Sequence, residues 1–290
     1  MVEEAPSPFL DQKLREKMGN LAVKLGQHLR YESLGTVEFL VDQDKNFYFL
    51  EINPRLQVEH PVTELVTGVD LVELQIRMAS GEKLKPKQKH IKFLKPTENV
   101  IVNGVGWAME FRIYAEDALN NFQPQSGQIS QYLPPGGKGI EIHSFCQVGQ
   151  KILPHFDPLL AKLVIFGRDR MNTIQRAKRA LEEYTIEGVP TLIPLYKVLL
   201  ENQNFLAGRL STNFIEREKI IETLKAVTLP LSGALSPPIK IEKGEVERAL
   251  SEREIARLVA KIYQDLRKGE LEFPKINKWK LAERMNISEE

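Results

Sequence analysis

Between residues 51 and 64 the chain reads EINPRLQVEHPVTE, where Glu51, Asn53, Arg55, Gln57, Glu59 and His60 crowd behind the apolar run FYFL. Carboxylates beside a neutral amide are hard oxygen donors of the kind Mg2+ prefers, and a guanidinium with a second amide forms a fork for a small anion. The segments GTVEFLVD (35–42) and FYFLEINPR (47–55), separated by the polar QDKN, alternate with period two and predict a β-hairpin. With the turn centred on Asp44 and Lys45, Glu38 falls opposite Glu51, and Phe47, Phe49, Glu51, Asn53 and Arg55 share one strand face. Facing carboxylates at about 5 Å repel by on the order of 3 kcal/mol at an effective dielectric near 20. A divalent cation held by Glu38, Glu51 and the Asn53 carbonyl offsets that repulsion; so does a solvated face with lysine partners, and the residues alone leave both readings open.

The elements around this segment are legible from spacing. Leu14, Met18, Leu21, Ala22, Leu25 and Leu29 recur every three or four residues, predicting an amphipathic helix that opens after Pro6 and Pro8. VDLVELQIRMAS predicts a second helix, stopped at Gly81. Residues 82–99 are rich in Lys and Pro with little periodicity, so a domain boundary is placed there. Beyond it lie short strand-like runs (WAMEFRIYAED, IEIHSF, LAKLVIFG) followed by the helical NTIQRAKRALEEY and IPLYKVLLEN, a β-rich region flanked by helices. PPGGKG (134–139) lacks the Ser or Thr and the helix start of a phosphate loop and reads as a tight turn. From about residue 225 a linker leads to a terminal amphipathic helix, with Ser251 and Glu254 as its capping box.

Bulk composition bounds the function. The 40 basic and 39 acidic residues nearly cancel, with no long run of one sign, which argues against nucleic acid or a membrane as partner. The single Cys146 permits neither an intrachain disulfide nor a cysteine-nucleated zinc site. An acidic, proline-broken start differs from a secretory signal, and no apolar window approaches membrane-span length, so a cytoplasmic protein is expected.

In this order and spacing, GTVEFL, FYFLEINPRLQVEHPVTELVTGVDL, MEFRIYAED and FDPLLAKL resemble the biotin carboxylase component of biotin-dependent carboxylases, an ATP-grasp family; the likeness covers residues 1 to about 220. It implies an α+β fold: the C-terminal half of an ATP-grasp domain (1–84), a biotin carboxylase C-terminal domain (85–224), and a linker with helical tail (225–290). It further implies ATP- and Mg2+-dependent (or Mn2+-dependent) carboxylation, by bicarbonate through carboxyphosphate, of biotin on a separate carrier. Position by position, Glu38 and Glu51 become metal and nucleotide-cofactor ligands with Asn53 completing the site. Arg55, Gln57 and the Val58 backbone hold bicarbonate, Glu59 is the general base, and Arg112 stabilises the enolate-like biotin. Without the motif, Glu59 equally serves the dipole of the helix after Pro61, and Arg112 equally fits an exposed strand edge. His60 is expected to orient the loop, and Asp157 and Lys162 to serve folding or subunit contact.

Relative to that family, Met1 falls past the nucleotide-fold domain and glycine-rich lid, and no Met-Lys biotinylation site is present. Two expectations follow: a subunit of a split carboxylase completed by a separate N-terminal half, or a catalytically silent fragment acting as a binding or assembly module. The expected partners are a biotin carboxyl carrier protein or domain, a carboxyltransferase subunit, and a second copy through homodimer contacts of the C-terminal domain.

Overall fold

The computed structural model describes residues 1–85, 91 and 106–228. The acidic opening forms a short strand, β1 (Val2–Ala5), which no alternation in the sequence had indicated. Helix α1 (Gln12–His28) starts where Asp11 accepts the Leu14 amide at 2.8 Å, satisfying one of the donors that a helix start leaves open. Of its apolar spacing only Leu14 is buried, while Leu21 and Leu29 are exposed.

The hairpin pairs β2 (Thr36–Val41) with β3 (Phe47–Asn53) and sets Glu38 opposite Glu51, as expected. Toward the turn the register shifts, so that Phe39 faces Phe49 and Val41 faces Phe47, leaving Leu50 as the extra residue of a bulge. This corrects the expected strand face. Glu38 and Phe39 point to opposite sides, so Phe47 and Phe49 stand on the other side from Glu51 and Asn53. The phenyl rings of Phe47 and Phe49 pack edge-on against Phe39, with centroids 5.4 and 6.4 Å away.

Past the motif, α2 (His60–Thr67) carries Pro61 in its first turn and closes on Gly68, whose φ of 69° is the left-handed conformation a helix end favours. Helix α3 (Leu71–Ala79) begins with Asp70 accepting the Glu73 amide at 2.7 Å and stops before Gly81, close to the predicted end.

Beyond residue 105, β4 (Trp107–Tyr114), β5 (Ile140–Ser144) and β6 (Leu159–Gly167) join β1 in an antiparallel four-stranded sheet of order β1-β4-β6-β5. On one face Met109, Phe111, Ile113, Leu163 and Ile165 enter the main core with Ile174, Ala177 and Leu181 of α4 (Arg170–Glu183) and Leu195, Tyr196 and Leu199 of α5 (Ile193–Glu201). A last helix, α6 (Ile220–Thr228), adds Ile220 and Leu224. The opposite face receives α2, with Val62 and Val66 packed on Ala108. Cover on both faces explains why Trp107–Phe111 is buried without interruption although its outer residues alternate in polarity.

Strand β1 is fastened to this sheet by Glu4, which accepts from Arg170 at 2.8 and 3.2 Å and from the Trp107 indole at 2.8 Å. PPGGKG forms a turn before β5, with Gly137 and Gly139 at φ of 105° and 76°; a Cβ on Gly139 would collide with the Phe166 carbonyl. Most of the expected 82–99 linker and the capped helix from Ser251 lie outside the described residues. Among the described residues no helix is long and apolar enough to cross a membrane.

Candidate active site

Two side-chain clusters form along the path from β3 into α2. In the first, at the end of the hairpin, the Asn53 amide donates to Glu38 at 2.7 Å and to Glu51 at 3.1 Å, and the Gln57 amide donates to the same Glu38 oxygen at 2.7 Å. The backbone register brings the two carboxylates together, and the amide hydrogens lie where a cation would otherwise be needed. Turning the Asn53 amide over would present its oxygen instead, an orientation set by the hydrogen-bond network. Two carboxylates and one amide oxygen fit Mg2+, which keeps part of its coordination for water and phosphate oxygens. Among the described residues no group of three or more His, Cys, Asp or Glu could hold a metal, so a closed all-protein cage is not formed.

The second cluster lies where α2 meets the sheet. The register places Arg112 of β4 beside Lys162 of β6, which lies beside His143 of β5, while Glu3 of β1 pairs with Glu110. All share the face that α2 covers. Arg112 Nη2 donates to Glu59 at 2.8 Å and to Glu3 at 3.1 Å, joining residues 53 positions apart through the first of these bonds. Burial works against the Arg112 charge, but Tyr114, Glu3 and Glu59 together hold its pKa above the usual value. Lys162 donates to the Val58 carbonyl at 3.0 Å, tying the segment before α2 to the sheet, and burial lowers its pKa despite Glu110 and Glu64. Glu110 is fully buried; burial pushes its carboxyl up to about 7 against the pull of Lys162 and Arg112.

Each residue singled out from sequence has a definite position. Glu38, Glu51, Asn53 and Gln57 come together; Glu59 and Arg112 come together; Val58 lies between, held by Lys162. Arg55 is exposed, and its guanidinium contacts the Leu56 carbonyl at 3.2 Å rather than either cluster. His60 Nδ1 lies 2.8 Å from the Gln57 carbonyl, the loop-orienting position expected of it. Asp157 accepts the Leu159 amide at 2.8 Å, a folding contact. Sequence reasoning missed Glu3 and Glu110 at the second cluster and set Lys162 aside. The available signal was a lone lysine inside the apolar LLAKLVIFG, a position that a buried strand tolerates only with a partner.

Residues 1–87 match the family described as carbamoyl-phosphate synthase L chain, ATP binding domain, and residues 110–217 match the biotin carboxylase C-terminal domain. A biotin carboxylase of Nostoc sp. is 49% identical over 216 residues, covering 74% of this chain and 46% of the relative. The mitochondrial propionyl-CoA carboxylase alpha chain of Mus musculus is 40% identical over 289 residues, 99% of this chain and 37% of the relative. The crystal structure of the Hydrogenobacter thermophilus 2-oxoglutarate carboxylase biotin carboxylase domain dimer, with MgADP, ADP and bicarbonate, superposes with a TM-score of 0.71 at 40% identity, covering 76% of this chain and 46% of that one. The chain spans about half the length or less of the curated relatives it matches. The matches fall in the C-terminal portion of those relatives, and the chain belongs to the biotin carboxylase family.

Proposed function

We propose that this chain supplies the metal, bicarbonate and biotin side of a biotin carboxylase active site, completed by an N-terminal half that brings the rest of the nucleotide site. The observation that carries the reading is the pairing of Glu59 with Arg112 at 2.8 Å, within one loop of the Glu38, Glu51 and Asn53 cluster. In this reading the divisions stay near residues 84 and 224. Glu38, Glu51 and Asn53 hold Mg2+, which when bound neutralises charge on the nucleotide phosphates. Arg55, Gln57 and the Val58 backbone bind bicarbonate, and Glu59 removes its proton as it is activated as carboxyphosphate. Arg112, already charged and half-buried, stabilises the negative oxygen that develops on biotin when its ureido nitrogen loses a proton. Biotin arrives on a carrier protein or domain, and a carboxyltransferase takes the carboxyl group onward.

The exposed Leu40, Tyr48 and Leu50 of the hairpin, with Leu21 and Val23 of α1 and Leu29 just after it, support a docked second half, since exposed apolar side chains mark interaction surfaces. The test is biotin- and bicarbonate-dependent ADP release by this chain alone and with a candidate N-terminal half added as a second chain. Activity in the mixture alone is expected. Inactivity with the partner folded and bound would overturn the reading in favour of a silent assembly module.

A further inference from the structure

Beneath the Arg112–Glu59 pair lies a group that the proposed chemistry does not use. Glu110 is fully buried, and among the described residues neither of its carboxyl oxygens has a hydrogen-bond partner. Arg112 Nε is likewise buried and unpartnered, and it lies 3.9 Å from Glu110 Oε1. Two buried polar groups, one a donor and one an acceptor, therefore stand about 0.7 Å beyond hydrogen-bond range on the same strand face. Leaving both without a hydrogen bond is unfavourable, and a small rotation of the guanidinium would relieve it. What prevents that rotation is visible: Nη2 is held on the far side by Glu59 and Glu3.

We infer that Glu110 is a positioning residue for Arg112, a buried carboxyl that takes the Nε–H when the Arg112–Glu59 contact opens. The inference rests on the reading of Glu59 and Arg112 as the working pair. Three acids, Glu3, Glu59 and Glu110, surround Arg112, with Lys162 beside it on the neighbouring strand and the Met1 ammonium 3.7 Å from Glu3. When Glu59 gains a proton it releases its share of the guanidinium and ceases to repel Glu110. Glu110 then becomes the better partner, so Arg112 keeps a compensated charge and a fixed place while Glu59 works. The charged groups facing Glu110 are Glu3 from β1, Arg112 on its own strand, Lys162 from β6 and Glu59 from the loop before α2. Farther out, Glu64 of α2 and His143 of β5 face Lys162, and His60 of α2 faces His143. The Glu110 carboxyl titrates near 7, within reach of such a switch.

The test follows the Arg112 Nε–H by nitrogen-15 NMR in the full chain. Glu59→Gln is expected to slow its solvent exchange about tenfold, the worth of one charge-assisted hydrogen bond, and Glu59→Gln with Glu110→Gln is expected to abolish the gain. No slowing in a folded Glu59→Gln protein, or slowing that persists in the double variant, would overturn the inference. Should Glu59→Gln fail to fold, wild type against Glu110→Gln decides: the Nε resonance must move with a midpoint near pH 7 in the first and stay still in the second. Neither readout uses nucleotide, carrier or a second chain, so loss of carboxylation and loss of this switch are separate results.

Discussion

Arg112 is gripped by Glu59 from the motif and Glu3 from the opening strand, and the grip has a kinetic consequence. Glu59→Gln keeps the shape and a hydrogen-bonding group but removes the carboxylate proposed as the base; bicarbonate-dependent turnover of the proposed two-chain enzyme should fall at least about a hundredfold, with nucleotide affinity unchanged in a binding titration. Equal loss of both would refute the base role. Glu110 carries a separate prediction for stability. Its carboxyl is neutral in the folded protein at pH values where it is ionised in the unfolded chain, so its contribution is fully present below the unfolded pKa of 4.5 and is lost as pH rises toward about 7. The loss amounts to at most about 3 kcal/mol. Denaturant titrations from pH 4.5 to 8 should therefore show wild type losing stability relative to Glu110→Gln as pH rises, and a pH-independent difference would contradict the shift.

At the scale of elements, β1 decides whether the second cluster holds. Its Glu4 forms a two-pronged, largely buried pair with Arg170 of α4, side chains 11% and 12% exposed, and that pair keeps Glu3 against Arg112. Removing one partner of such a pair strands a buried charge. Arg170→Ala should cost about 3 kcal/mol in a denaturant titration and speed amide exchange in Val2–Ala5 more than in β4. Uniform acceleration across the sheet would mean that β1 is not separately anchored. The hairpin makes the complementary point. Its bulge at Leu50 leaves Glu38 facing Glu51 while turning the phenylalanines to the other side, so the polar end of the strand is continued by Leu40 and Tyr48 rather than by the phenylalanines.

For the whole molecule, the apolar side chains left open on α1 and the hairpin should govern association. Leu40 and Leu50 are each about half exposed, at 50% and 51%, so replacing both with Glu removes little internal packing. Leu40→Glu with Leu50→Glu should leave the melting temperature within about 3 °C of wild type and abolish binding of the proposed N-terminal half in sedimentation velocity. Retained binding would place the docking surface elsewhere. Much of this architecture was legible in the residues: the period-two hairpin, the Glu38–Glu51 register, the helix that opens after Pro8 and the alternation that turns Arg112 away from Phe111. Those features are local, written in spacings of two, three and four residues and in capping side chains. The bulge was not legible, because inserting one residue leaves the alternation of a short strand looking regular. Nor was β1, whose four residues carry no period and become a strand only because β4 offers an open edge and Arg170 a partner for Glu4. Chemistry of the motif was thus determined by the sequence itself, through residue types at fixed spacing. That Glu59 meets Arg112, that Lys162 holds Val58, and that Glu110 lies beneath them without a hydrogen bond were decided only by tertiary structure, since packing α2 on the sheet joins residues that no local spacing relates.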